Sequence, residues 1–318
     1  MYIIFQCNSA LKIILYIDNL LIKRERNNFA LINSAQNILK MGKKQFIKVF
    51  IIFLCTFSAS GIFAQKQVFE FFAHRGSRLE FDENTMQAFR ASYEAGMRGY
   101  ETDVRLTKDG DMVLSHDATL ARISPCQKEV ESMSTDEVKQ VRTFKGNKLV
   151  FLQELVDYLA DKDSMYVEFE MKTNDPIKYY PTDKLRDYCD KLYKTTMAKK
   201  PAHSLYLFTS GDKAALNMMR FLHPNAELLY ISGKPINEET ILTAIDMGIK
   251  RLGCSLQGTS KQMVDLAHKA GISVSLWPNA SREDIMLGVY LGADALCCDR
   301  ALEIKKFLDT KAPWIKYK

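Results

Sequence analysis

The chain has 318 residues, 47% of them apolar, and carries 44 Lys and Arg against 38 Asp and Glu. Residues 1–64 hold 8 of the basic and 2 of the acidic side chains, so residues 65–318 keep 36 of each and the excess of +6 belongs to the leader. A formally neutral body removes the electrostatic case for a nucleic-acid partner.

Residues 1–40 precede a second methionine, Met41, and read as an upstream extension outside the native start. From Met41 follow a basic start (Lys43, Lys44, Lys48), an apolar run from Val49 to about Phe57, and small residues ending at Ala64. That order is the pattern of a secretory signal peptide, which assigns residues 41–64. Thr56, Ser58 and Ser60 interrupt the apolar run, which falls short of the roughly 20 residues a stable membrane span needs. Cys55 follows Leu54 rather than a small residue, which sets lipoprotein processing aside. Cleavage is expected near Ala64, leaving residues 65–318 as a single secreted or periplasmic domain with no stable membrane span. Five of the seven cysteines lie in that domain without paired spacings, which argues against a disulfide framework or a zinc site.

Beyond Gln65, short β-rich runs alternate with amphipathic stretches of about a dozen residues, the rhythm of parallel βα units. The runs are Val68–Ala73, Gly99–Val104, Met165–Met171, Ser204–Thr209, Glu227–Ile231, Lys250–Cys254, Ser273–Trp277 and Ala295–Cys298. Helices are expected over Thr85–Ala95, Lys213–Leu222, Glu238–Met247, Ser260–Ala270 and Arg282–Leu291, with a shorter one around Thr135–Val141. Gly96, Gly248, Gly271 and Gly292 stand where a left-handed residue closes a helix, and Asn84 with Gln87 reads as an N-cap. This pattern fits an α/β (β/α)8 TIM barrel. A doubly wound sheet would place a glycine-rich phosphate loop after its first strand, and HRGSRLEF is not one. Thr107-Lys108-Asp109-Gly110 is a turn, and Asp111–Ser115 a returning strand, so a β-hairpin excursion should leave the second strand and bring His116 back to the same barrel end.

Catalytic groups of a parallel barrel collect at the C-terminal strand ends. There the sequence places His74 and Arg75, Glu101 and Asp103, His116, and then Glu168, Glu170 and Lys172. Alternation along a strand puts Glu101 and Asp103 on one face, and likewise Glu168, Glu170 and Lys172. Carboxylates crowded into one small volume require positive charge, and an oxygen-rich set suits Mg2+, Ca2+ or Mn2+ rather than zinc. The two histidines could supply a general base and acid, Arg75 a planar fork for phosphate oxygens, and Lys172 a point charge. Taken singly, each residue has an ordinary structural explanation; packing does not readily explain their joint appearance on three strands.

The run HRG-(x)6-ENT-(x)2-AF, then GYETDVRLTKDGDMVLSHD and VEFEMK, resembles the glycerophosphodiester phosphodiesterase family. LAHKAGISVSLWPNA and LGADALCCDR extend the likeness to roughly Phe71–Arg300. The resemblance implies a TIM barrel that hydrolyses a small-molecule glycerophosphodiester to glycerol phosphate and an alcohol. It implies His74 and His116 as the catalytic pair and Glu101, Asp103 and Glu170 as ligands of a divalent cation, Mg2+ or Ca2+. Arg75, Lys172 and Trp277 would meet the substrate; Trp277 reads equally well as a strand-end core residue. The Glu-x-Lys pattern selects Glu170 over Glu168, leaving Glu168 a supporting role. Asp82, where the family commonly has proline, and Pro278-Asn279 depart from the pattern and bear on loop shape and substrate choice. Two other functions remain open: a lysophospholipase D-like or cyclising phospholipase, and a non-catalytic barrel that binds a phosphorylated ligand.

Overall fold

The structure is a computed structural model and describes residues 68–175 and 177–318. The expected extension at 1–40 and the signal peptide at 41–64 lie outside the described residues.

Among the described residues, eight parallel strands close into a barrel. They are β1 (Val68–His74), β2 (Gly99–Leu106), β4 (Tyr166–Met171), β5 (Leu205–Ser210), β6 (Leu228–Pro235), β7 (Arg251–Ser255), β8 (Ser273–Asn279) and β9 (Ala295–Cys298). Strand β1 completes the ring, pairing on one side with β9 (Phe72 opposite Cys297) and on the other with β2 (His74 opposite Glu101). Seven of the outer helices follow their strands at Met86–Glu94, Thr182–Met197, Lys213–Leu222, Glu238–Asp246, Lys261–Lys269, Arg282–Leu291 and Ala301–Lys311. After β2 the chain first runs through β3 (Met112–Leu114), antiparallel to β2, and a short helix, Thr135–Gln140, before the outer helix Leu152–Leu159. The hairpin therefore forms as expected.

The polar stretch from Arg122 to Lys148 is more ordered than its composition suggests. Val113, Leu120, Val130, Met133, Val138, Val141 and Leu149 bury one another in an apolar cluster beneath it. A two-residue strand, β10 (Lys316–Tyr317), pairs with the start of β1, a pairing that the sequence pattern does not announce. Gly96, Gly248, Gly271 and Gly292 all take positive φ at helix ends, as their positions predict.

Asn84 is a correction. The helix Met86–Glu94 is capped by Thr85, whose hydroxyl accepts from the Ala88 N–H at 3.2 Å. Asn84 itself has φ 54° and turns inward. Its amide donates to Asp103 at 2.9 Å and its carbonyl accepts from the Thr102 hydroxyl at 2.8 Å. A side chain committed to the barrel mouth cannot also cap the helix.

The turn after β1 is left-handed over three residues, Arg75 (φ 52°), Gly76 (φ 76°) and Ser77 (φ 82°). Non-glycine residues held there store strain that the surroundings must sustain, a recurrent property of functional turns. A Cβ on Gly76 would stand 2.8 Å from that of Ala88. Gly76→Ala is thus expected to destabilise the fold by roughly 2–4 kcal/mol, from the left-handed penalty and overpacking together. A urea titration measures it, and an unchanged midpoint would show that the turn adapts freely.

Candidate active site

Register builds the site. The pairing of β2 with β4 sets Glu101 beside Glu168 and Asp103 beside Glu170, while β1 sets His74 beside Glu101. Ligand atoms of Glu101, Asp103 and Glu170 lie within 4.8 Å of one another. His74, Arg75, Glu101, His116, Glu168, Glu170, Lys172 and Trp277 line one pocket at this end of the barrel. Asp103 joins them through Lys172, whose Nζ is 3.2 Å from Asp103 Oδ1 and donates to Glu170 Oε1 at 2.7 Å. Every residue singled out from the sequence is therefore brought to this end of the barrel.

The carboxylates are not equivalent. Burial and the charges of Asp103 and Glu170 push Glu101 well above the ordinary carboxylate range. Burial also opposes ionisation of Asp103, but Lys172 and Arg75 outweigh it and hold that group below its usual value. Glu101 Oε1 is buried without a hydrogen-bond donor, and Asp103 Oδ1 has the Lys172 ammonium 3.2 Å away but no well-aligned hydrogen bond. A buried carboxyl oxygen with no donor is costly, and three converging carboxyl groups fit a hard cation that would take up such lone pairs and favour their ionised form. Glu168 lies outside this ligand group. It accepts from the Tyr166 hydroxyl at 2.5 Å, and burial pushes it up to about 7.

Both imidazoles are lowered below their ordinary value, chiefly by burial. For His74 the bond to Asp299 opposes the shift; for His116 the Asp103 charge does. Arg75 reaches Glu83 at 3.2 Å and Asp103 at 3.2 Å. Glu83 is in turn gripped by both terminal nitrogens of Arg122, at 2.6 and 2.7 Å, and Arg122 Nε donates to Asp117 at 2.6 Å. Asp117 accepts the other bond of this chain, from His116 Nδ1 at 2.6 Å. Alternating charges thus connect Arg75 to His116. Sequence reasoning does not single out Glu83, Asp117, Arg122 or Asp299. Asp117 directly follows His116, and Asp299 directly follows the last barrel strand, so the same strand-end argument could mark both.

The hairpin is fastened where it delivers His116. Ser115 N–H donates to the Asp103 carbonyl at 3.1 Å. Arg105 donates from Nε and Nη2 to the His116 carbonyl, at 3.1 and 2.8 Å, and from Nη1 to Glu131 at 2.8 Å. Arg105 and Glu131 are both buried. Arg105→Met would strand the Glu131 charge, and breaking a buried pair from one side typically costs about 3–5 kcal/mol. A matching drop in unfolding free energy, with loss of turnover, is the expected result; wild-type stability would mean that Tyr180, which also donates to Glu131 at 3.1 Å, suffices.

The remaining residues shape the rim. Trp277 lines the pocket and its buried Nε1 has no hydrogen-bond partner, so an indole donor remains for an acceptor in the site. Asp82, one of the departures noted in the sequence, accepts from Thr143 at 2.5 Å and Asn147 at 2.8 Å and so ties the β1 loop to the excursion. Asn279 donates to the carbonyls of Leu276 and Cys297, at 2.8 and 2.9 Å, and thereby braces the end of β8.

Comparison with known proteins adds an independent finding. A family model described as the glycerophosphoryl diester phosphodiesterase family matches residues 74–303. A glycerophosphodiester phosphodiesterase of Caldanaerobacter subterraneus is 26% identical over 240 residues, covering 71% of this chain and 92% of the relative. Among solved structures, a putative glycerophosphoryl diester phosphodiesterase from Silicibacter pomeroyi superposes with a TM-score of 0.69 at 21% identity, covering 79% of this chain and 96% of its own. An Oleispira antarctica phosphodiesterase in complex with the product sn-glycerol-3-phosphate gives 0.68 at 21% identity, covering 76% and 98%. At such identities the structural likenesses establish the barrel fold.

Proposed function

Because this chain belongs to the glycerophosphoryl diester phosphodiesterase family and is a phosphoric diester hydrolase acting on glycerophosphodiesters, we propose that His74 and His116 carry out its proton transfers beside a cation held by Glu101, Asp103 and Glu170. The observation that carries this reading is the convergence of those five side chains at one end of the barrel. The donor set is all oxygen, which favours Mg2+ or Ca2+. When bound, such an ion supplies Lewis-acid polarisation of a phosphoryl oxygen.

The chain's own residues do the rest. Arg75 and Lys172 meet the phosphate oxygens with a planar fork and a point charge. His74 accepts a proton from the nucleophile, which is water or the neighbouring 2-hydroxyl of the glycerol. In the second case a cyclic phosphate forms and water then opens it. The bond from phosphorus to the head-group oxygen breaks, and His116 protonates that departing oxygen. Trp277 offers its indole N–H at the rim.

We further propose that the enzyme works outside the cytoplasm, supported by the basic start, apolar run and small residues from Met41 to Ala64. The functional reading is tested by comparing purified protein on glycerophosphocholine, glycerophosphoethanolamine, glycerophosphoinositol and a lysophospholipid. Release of glycerol phosphate from the three water-soluble diesters, faster than any turnover of the lysophospholipid, is expected. Turnover of the lysophospholipid alone would overturn the substrate assignment.

A further inference from the structure

The side of His74 that faces away from the pocket is held by a residue from the opposite end of the chain. His74 Nδ1 lies 2.5 Å from Asp299 Oδ1. Asp299 is buried at 1% exposure, and Arg78 grips both of its oxygens, Nε donating to Oδ1 at 2.8 Å and Nη2 to Oδ2 at 2.6 Å. The backbone is fixed as well: Asp299 N–H donates to the Asn279 carbonyl at 2.8 Å, and its carbonyl accepts from Leu79 N–H at 3.0 Å. We propose that Asp299, clamped by Arg78, is a positioning residue that fixes the proton of neutral His74 on Nδ1 and leaves the Nε2 lone pair facing the pocket.

The argument is one of donors and acceptors. An aspartate paired with a guanidinium fork can only accept, so its imidazole partner must donate from Nδ1. A neutral imidazole has a single N–H, and Nε2 is then bare. The nearest carboxylate oxygen to Nε2, Glu101 Oε2, stands at 3.6 Å, beyond hydrogen-bond reach, and does not claim it. A proton acceptor needs that lone pair, and the wrong tautomer alone can cost several orders of magnitude in turnover. His116 has a parallel arrangement, with Nδ1 on Asp117 and Asp117 on Arg122. There the aspartate is half-buried and adjacent in sequence, whereas Asp299 reaches His74 only because β1 and β9 close the barrel.

This inference rests on the base role proposed for His74, and its test separates the two. Long-range proton–nitrogen NMR of histidine-labelled protein, which has 5 histidines, reads the His74 tautomer directly, assigned by loss of its signal in His74→Gln. The wild type should show a protonated Nδ1 and a pyridine-like Nε2. Asp299→Ala should shift His74 towards the Nε2-protonated form and lower kcat by roughly 10²- to 10⁴-fold with KM changed by less than about 3-fold. Arg78→Met keeps the acceptor but frees it, so a smaller kcat loss with a mixed tautomer is expected, and this variant stands in if Asp299→Ala does not fold. A wild-type His74 protonated on Nε2, or an Asp299→Ala protein slowed with its tautomer unchanged, would overturn the proposal. A wild type without activity on any glycerophosphodiester would instead sink the functional reading, and the spectrum would still decide the tautomer.

Discussion

Glu101→Gln should remove about 10³-fold of the activity on glycerophosphocholine while leaving the barrel at least as stable as before. Lewis-acid stabilisation of transition-state charge is worth several kcal/mol, and about 4 kcal/mol corresponds to that factor. The stability half follows from crowding. Glu101 is buried with Asp103 and Glu170 nearby, and their charges together with burial disfavour its anion. A neutral amide of the same shape relieves that repulsion in cation-free protein. Wild type should therefore gain thermal stability on addition of Mg2+ or Ca2+, by about 2.7 kcal/mol at a hundredfold excess over Kd, and Glu101→Gln should gain little. Scanning calorimetry with and without each ion measures this. A variant that keeps its activity and its ion-dependent shift would remove Glu101 from the cation site.

The histidines should part company when the leaving group is changed. On glycerophosphocholine, loss of either His74 or His116 is expected to cost roughly 10²- to 10⁴-fold, the usual worth of a positioned acid or base. A glycerol nitrophenyl diester releases a phenolate that needs no proton, so His116→Ala should approach wild-type rates on it while His74→Ala stays slow on both. The structure is consistent with this division. His74 is nearly buried, with side-chain exposure of 11%, whereas His116 is more open at 32%, at the end of the hairpin where an alcohol could depart. Equal losses for both variants on both substrates would contradict the assigned roles.

Much of the fold and site is legible in the sequence because the signals that carry them are local. Apolar runs with strand spacing mark the barrel, and alternation along β2 and β4 by itself groups Glu101 with Asp103 and Glu170 with Lys172. The helix Thr182–Met197 is not legible in the same way. Its buried face is Leu185, Tyr188, Cys189, Leu192 and Thr196, correctly spaced but carried partly by weakly apolar residues among many charges. Asn84 misleads because asparagine is both a common helix cap and a common left-handed residue, and only the tertiary bond to Asp103 decides between them. The partnership of His74 with Asp299, 225 residues apart, exists only once β1 meets β9. The cluster under residues 122–148 is hidden for a related reason, since its apolar residues are separated by polar turns and meet only in three dimensions.

The central claim, hydrolysis of a glycerophosphodiester at the Glu101, Asp103 and Glu170 site, is tested most directly by phosphorus NMR of glycerophosphocholine incubated with the purified protein and Mg2+ or Ca2+, followed by excess EDTA. Glycerol phosphate should become the final phosphorus product, free choline should appear with it, and the reaction should stop on chelation. Accumulation of choline phosphate, or an undiminished rate in EDTA, would contradict the account.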